Sequence, residues 1–296
     1  RVIWVFLCIN IDIQDISLLP KQNNLQILLC PKINYPFMCT LLIKLFNKTI
    51  KYDILSIRKK SDNMLNLLKK IFSKSEEFKL PSNMSPQYEE ALLKKYGKSS
   101  ILNKNISLLI IADTHGTLNE EQFYEYIKNK NYDVCILVGD HTNRDIEIIL
   151  NYIDKNKLYG LKGNHDYEYL KNNNIQDING IIIDINGVKI LGMEGSFKYK
   201  PVNFPSFTQE ESIAFLEGKE KVDILVSHDK KFDYTKLGDP AHQGLIGITD
   251  YLFKNNIPIH IHGHIHEPYK KEMINGTIEY SVFGYELIEI NKNNSE

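Results

Sequence analysis

Cysteine, excess charge and long apolar runs are all scarce in this chain. Four cysteines occur in 296 residues, Cys8, Cys30, Cys39 and Cys135, and no two of them form a C-x-x-C pair. That spacing argues against a cysteine zinc site and offers no disulfide framework, so a reducing cytoplasm suits the chain best. Cys135 lies in the apolar run 134–138 and reads as a small buried hydrophobe. Lys and Arg number 36 against 37 Asp and Glu, a net charge of −1. Neither a strongly basic nucleic-acid binder nor an acidic tail fits that balance, although a local basic patch stays open. No apolar run approaches the roughly 20 residues that span a bilayer. Residues 2–9 are apolar after Arg1, yet Asn10, Ile11 and Asp12 offer no small-residue cleavage site, so neither secretion nor membrane association is expected. What is present, 43% apolar and 25% charged residues, describes an ordinary soluble globular protein.

Residues 1–63 differ from the rest. They hold three of the four cysteines and show apolar patches without a clear period. The stretch 37–46 reads as a short helix or a strand. At Met64 a cleaner pattern begins: Leu65, Leu68, Ile71 and Phe72 fall at helical spacing. Met64 is therefore read as a natural start, with 1–63 an upstream extension and 64–104 a helical arm. A second helix is predicted over 86–96, with Ser85 as N-cap, Pro86 in the first helical position and Gly97 as its stop.

From residue 105 to 292 the chain reads as one domain. Strands are predicted over 107–112, 134–138 and 158–161, with helices over 119–130 and 144–154. Such alternation argues for a largely parallel central sheet. Asn186-Gly187 between the apolar runs 181–185 and 188–191 signals a β-hairpin. A helix over 208–216, a strand over 224–226, a helix over 246–254, a strand over 257–261 and two final strands over 278–283 and 285–290 complete the pattern. No internal repeat or low-complexity linker appears.

Five short motifs each follow a predicted strand: Asp113-Thr114-His115, Gly139-Asp140, Gly163-Asn164-His165-Asp166, Ser227-His228 and Gly263-His264-Ile265-His266. In open α/β sheets ligands bind beyond the carboxyl ends of the strands, so distant motifs can meet at one edge. Carboxylate, amide oxygen and imidazole suit manganese, iron or zinc rather than Cu(I) or calcium. Two such ions roughly 3.5–4 Å apart can clamp the attacking and leaving oxygens of an in-line phosphoryl displacement. Singly, each motif is weak. An Asp-x-His is commonly a polar loop, Gly-Asp and Ser-His arise by chance, and Gly-Asn is a common turn. Their joint occurrence, in one order and using five of the nine histidines, decides for a metal site.

The order and spacing of these motifs over residues 106–290 resemble the calcineurin-like metallophosphoesterase superfamily. The resemblance implies a four-layer α-β-β-α sandwich with two mixed sheets. It also implies two divalent metal ions, manganese first, with iron, zinc, nickel and cobalt as alternatives. Asp113, His115 and His266 would hold one ion, Asn164, His228 and His264 the other, and Asp140 would bridge them. His165 would stand beside the scissile phosphate without binding metal, and Asp166 would orient a neighbouring group. Arg144 matches an arginine that grips phosphate oxygens in the protein-phosphatase branch, although a solvent-facing helix residue explains it equally. Where that branch carries an Asp partner for the catalytic histidine, this chain has Asn143, which argues against strict protein-phosphatase identity. Two divalent ions outweigh two carboxylates, and the surplus attracts phosphate and lowers the pKa of bound water.

The implied function is hydrolysis of a phosphate mono- or diester by a metal-bridging hydroxide, on a small or exposed substrate. A nuclease of the same superfamily, with nucleic acid as substrate, and a silent protein-interaction scaffold are the alternatives. His260 and His262 share parity with His264 but read as hydrogen-bonded strand histidines. His141 is placed beside the pocket, and His242 at a substrate or surface position. Tyr199, Phe204 and Phe207 read as a substrate wall or as core over the hairpin.

Overall fold

Period-two alternation decides where each central strand sits. In Ile106–Ala112, Leu108 and Ile110 face one side, Leu109 and Ile111 the other, and all four are buried. A strand buried on both faces reads as a continuous apolar run, which is what this segment shows.

The computed structural model describes residues 3–5, 25–27, 41–45, 48–52 and 87–292, except 167 and 201–203. By its contacts the chain divides into two compact units, Arg1–Ser82 and Asn83–Glu296. In the first, β1 (Ile3–Val5) pairs with β2 (Leu25–Ile27) in parallel, and β3 (Leu41–Leu45) pairs with β4 (Lys48–Tyr52) antiparallel. The helix expected over 65–72 and the caps Ser85 and Pro86 lie outside the described residues.

The second unit opens with α1 (Gln87–Tyr96), β5 (Ile106–Ala112), α2 (Glu120–Ile127), β6 (Val134–Leu137), α3 (Asn143–Tyr152), β7 (Leu158–Gly160), α4 (Tyr169–Asn172) and β8 (Gln176–Asp177). The hairpin β9 (Ile182–Ile185) and β10 (Val188–Met193) follows, then the two-residue strands β11 (Ser196–Phe197) and β12 (Ser206–Phe207). Then come α5 (Gln209–Leu216), β13 (Ile224–Ser227), α6 (Ile246–Lys254), β14 (Ile259–His262), β15 (Tyr269–Glu272), β16 (Ile278–Ser281) and β17 (Gly284–Ile290). The hairpin turn is built as its sequence predicts: Asn186 and Gly187 both take positive φ, 54° and 80°, as a type I′ turn requires.

Two mixed sheets result. One has the order β17-β5-β6-β7-β8, parallel except for β17. The other has the order β15-β16-β14-β13-β10-β9, with parallel central pairs and antiparallel pairs at both edges. Between them lies a core that includes Leu108, Ile110, Val134, Ile136, Ile190, Val226 and Ile261. Leu109, Ile111, Cys135 and Leu137 face the other way, against Phe123, Ile146 and Ile149 of α2 and α3. Leu191, Met193 and Leu225 meet Leu92, Leu216 and Leu252 of α1, α5 and α6. The four layers are therefore helix, sheet, sheet, helix. Helix α1 is bolted to this outer layer by Tyr88 to Asp250 and Glu89 to Lys231, and Gly97, at φ 81°, ends it. Strand β15 has no counterpart in the sequence pattern. It is a mostly exposed Tyr-Lys-Lys-Glu edge whose charges discourage further strand pairing. No helix among the described residues is long and apolar enough to cross a membrane.

Candidate metal centre

The five motifs gather at the carboxyl ends of β5, β6 and β7 in one sheet and β13 and β14 in the other. Backbone bonds stitch the loops together. Asp113 N–H donates to Gly139 O at 2.9 Å, His115 N–H to Asp140 O at 3.1 Å, and Gly263 N–H to His228 O at 3.1 Å. Across the sheets, His264 N–H donates to Asp113 Oδ2 at 2.7 Å.

The backbone is strained where the side chains converge. Eight described non-glycine residues take positive φ, and five of them are Asp113, His115, Asp140, His264 and His266. The other three are asparagines, which tolerate this region. Left-handed Asp and His cost free energy that the surroundings must offset, and such residues cluster at functional sites. Neighbouring glycines clear the space. A Cβ on Gly163 would collide with the Asp140 carboxylate and the His228 ring, and one on Gly263 with Asp113 Oδ2.

Among the described residues, two groups each bring their ligand-type atoms within 4.8 Å of one another: Asp113, His115 and His266, and Asp113, Asp140 and His228. Asp140 Oδ2 stands 3.7 Å from both His115 Nε2 and His228 Nε2. Its other oxygen accepts the backbone N–H of His165 at 2.8 Å. Asp113 Oδ1 is buried, has no hydrogen-bond partner among the described residues, and lies 3.6 Å from His266 Nε2 and 3.9 Å from His115 Nε2.

The proton inventory fits a cation. His228 Nδ1–H donates to the Val138 carbonyl at 2.7 Å, so Nε2 turns toward Asn164 Oδ1 at 3.0 Å and toward Asp140. His115 Nε2 and His266 Nε2 face each other at 3.1 Å. His264 donates from Nε2 to the Ala241 carbonyl at 2.7 Å, and burial lowers its pKa, so its Nδ1 keeps a lone pair. Burial opposes ionisation of Asp113, but contact with His266 and the field of His228 more than offset it and lower its pKa. Burial likewise disfavours charge on His228, yet Asp140 and Asp113 raise its pKa overall. Contact with Asp113 raises that of His266. Acceptors facing acceptors, with the imidazoles of His228 and His266 drawn toward protonation, are what a site selecting positive charge requires. Five of the seven expected ligands, Asp113, His115, Asp140, His228 and His266, therefore meet at one centre; Asn164 adjoins it through His228 Nε2, and the His264 ring lies 5.0 Å from that of His228.

The remaining expected residues divide. His165 is exposed, its ring 5.9 Å from that of His115. Asp166 does not face the cluster. Its buried carboxylate accepts the backbone N–H groups of Asp140, His141 and Gly163 at 2.6, 3.0 and 2.7 Å, which makes it a positioning residue. Arg144 donates to the carbonyls of Gly116 and Leu118 at 3.2 and 3.0 Å, so its guanidinium holds the loop after His115. His260 and His262 are fully buried strand histidines, bonded to Ser227 and Glu279 and to Tyr269 respectively. His141 Nδ1–H donates to Thr114 Oγ1 at 2.8 Å, because that hydroxyl donates to Asp145. His242 pairs with Asp239 at 2.8 Å, its ring 5.5 Å from that of His264.

Sequence reasoning missed Asp145. Its buried carboxylate accepts from Thr114 Oγ1, Gly116 N, Leu118 N and both N and Oγ1 of Thr142, tying the first motif loop to the second. The pattern Thr142-x-x-Asp145 carried a capping-box signal that could have found it. Asp229, which accepts from Phe197 N at 2.9 Å, carried none.

The model of the calcineurin-like phosphoesterase family matches residues 106–268. No curated protein matches the chain. Solved structures to which it is similar include phosphopantetheinyl hydrolase from Mycobacterium tuberculosis, 15% identical, covering 62% of this chain and 91% of that one with a TM-score of 0.44. A 5'-nucleotidase precursor from Thermus thermophilus is 14% identical, covering 64% and 51% with a TM-score of 0.39. Zinc-complexed Vps29 from Entamoeba histolytica is 14% identical, covering 64% and 88% with a TM-score of 0.35. The family match takes in all five motifs and more than half of the 296 residues, and the chain belongs to the calcineurin-like phosphoesterase family.

Proposed function

We propose that this protein hydrolyses phosphate esters at a dinuclear divalent-metal centre. Asp113, His115 and His266 would hold one ion and Asn164, His228 and His264 the other, with Asp140 shared. The observation that supports this best is the position of Asp140 Oδ2, 3.7 Å from one imidazole of each set. When bound, two such ions supply Lewis acidity to the phosphoryl oxygens and lower the pKa of a water toward neutrality. Manganese is the first choice of metal.

The chain's own residues do the rest. Asp140 is aimed by the N–H of His165 and by its left-handed backbone. That same peptide places the His165 ring on the open side, beside His115, where an imidazole can give a proton to a departing oxygen. Asp145 and Asp166 fix three loops with backbone bonds, so the donor atoms need little reorganisation.

The test is metal analysis followed by turnover of p-nitrophenyl phosphate and its bis ester. Protein loaded with Mn²⁺ should hold two ions per chain and release nitrophenol from at least one ester. Loaded protein silent on both esters and on nucleotides would sink the hydrolase reading and favour the protein-interaction scaffold.

A further inference from the structure

We propose that Phe283 is a positioning residue of the metal centre, its ring fixing the His266 imidazole at the more exposed of the two candidate ion positions. This inference rests on the dinuclear hydrolase reading and names what holds one of its ligands in place. The Phe283 ring stacks on that of His266, with centroids 4.9 Å apart and planes inclined by 28°. Phe283 is 46% exposed, a large apolar side chain at the rim of the candidate site. The set it touches, Asp113, His115 and His266, has two exposed members, whereas Asp113, Asp140 and His228 are all buried.

The sheet topology places Phe283 there. Strand β16 ends at Ser281 in one sheet, and β17 begins at Gly284 in the other. Only Val282 and Phe283 make the crossing, and both of its ends are pinned beside motif loops. Ser281 pairs with His262, and Val282 N–H donates to His262 O at 2.8 Å, two residues ahead of His264. Gly284, whose φ of 84° turns the corner, pairs with Ala112, the residue before Asp113. Val282 is buried in the core between the sheets. Phe283 therefore turns the other way, over His266.

His266 needs such support. A metal-binding imidazole is usually oriented by a hydrogen bond from its second nitrogen. His228 has one to the Val138 carbonyl, and His264 has one to the Ala241 carbonyl. Among the described residues, the polar contacts of the His266 ring, to His115 Nε2 at 3.1 Å and to Asp113 Oδ1 at 3.6 Å, both use Nε2. No carbonyl or carboxylate holds its other nitrogen. Its remaining ring neighbour, His115, meets it edge-on and is itself a candidate ligand. Stacking on Phe283 supplies the missing restraint, because rings lying nearly parallel in contact resist tilting. A saturated side chain of similar size would cover the imidazole without fixing its plane.

The experiment titrates metal-free protein with Mn²⁺ by calorimetry and resolves the two binding steps. Phe283→Ala should weaken one step about tenfold, the lower end for groups that orient metal ligands, and leave the other within about twofold. Phe283→Tyr keeps the ring and should match the wild type within about twofold. In a His266→Ala background the supported ligand is gone, so Phe283→Ala should change nothing further. Thermal melting of the metal-free proteins shows that each variant is folded. Both steps unmoved in Phe283→Ala, both weakened alike, or Phe283→Tyr binding as poorly as Phe283→Ala overturns the positioning role and leaves the hydrolase reading standing. A further loss in the His266→Ala background does the same. Wild-type protein that binds fewer than two Mn²⁺ ions overturns both.

Discussion

Asp166 Oδ2 accepts the backbone N–H of Asp140 at 2.6 Å, in the loop that carries the Asp140 carboxylate. Its bonds to His141 and Gly163 make one side chain the common anchor of two motif loops. In Asp166→Asn, an amide NH₂ replaces one acceptor and meets backbone N–H groups. Metal affinity should fall about 10–100-fold, as for other partners that orient metal ligands. Excess metal should restore most of the turnover, because Asp166 does not face the cluster. Calorimetric titration with Mn²⁺ and a metal-dependence curve of kcat check both points. Unchanged affinity with a lower kcat at saturation would instead give Asp166 a direct role.

Asp140 and His165 share a hydrogen bond, yet their variants should separate. Asp140→Asn removes the negative charge between the two imidazole sets and should lose metal. His165→Ala keeps the backbone N–H that holds Asp140 and should retain metal, while turnover drops about 10²–10⁴-fold, the range for a lost proton donor. Elemental analysis beside steady-state kinetics reads both. Equal metal loss in the two variants would remove the role given to His165.

Gly163 and Gly263 offer a steric test. Alanine at either position would meet a candidate metal-binding carboxylate, Asp140 or Asp113. Each variant should lose roughly 1–3 kcal/mol of stability, the usual cost of overpacking, and bind metal more weakly. Gly187→Ala is the control, because a Cβ added there, in the open hairpin turn, would meet nothing within 4 Å. It should cost stability through its positive φ alone and leave metal binding intact. Chemical unfolding and metal titration separate the two effects.

What was legible in the sequence follows local rules. The central strands could be read because burial on both faces demands unbroken apolar runs, as in Ile106–Ala112. The hairpin could be read because few residues besides Asn and Gly accept left-handed backbone. The metal motifs stood out as chemistry-bearing residues immediately after strands. The two-residue strands β11 and β12 are held by tertiary contacts and leave no period to read. Asp166 was expected to orient a neighbouring group, but which group could not be read from the sequence. Only the fold shows its carboxylate turned onto amides 25 and 26 residues earlier in the chain.

Beneath the Gly263 motif, on β14 and β16, lies a buried network that predicts acid lability. Glu279 is fully buried and meets His260 Nδ1 at 3.2 Å and Lys271 Nζ at 2.7 Å. Burial alone would raise its pKa, but His260 and the Lys271 ammonium hold it well below the usual carboxylate range. His262 is driven the other way, down to about 3 from an ordinary 6.5, chiefly by burial. The signs agree. Below pH 6.5 the unfolded chain protonates His262 while the folded one does not, so stability falls as pH drops toward 3. Glu279 adds stability above its ordinary 4.5, and this is lost progressively below that value. Metal-free protein should therefore lose on the order of a few kcal/mol between about pH 7 and pH 4, mostly through His262. His262→Gln, though less stable at neutral pH, should show a flatter profile across that window. Urea unfolding at several pH values measures this, and parallel profiles for the two proteins would refute a neutral, buried His262.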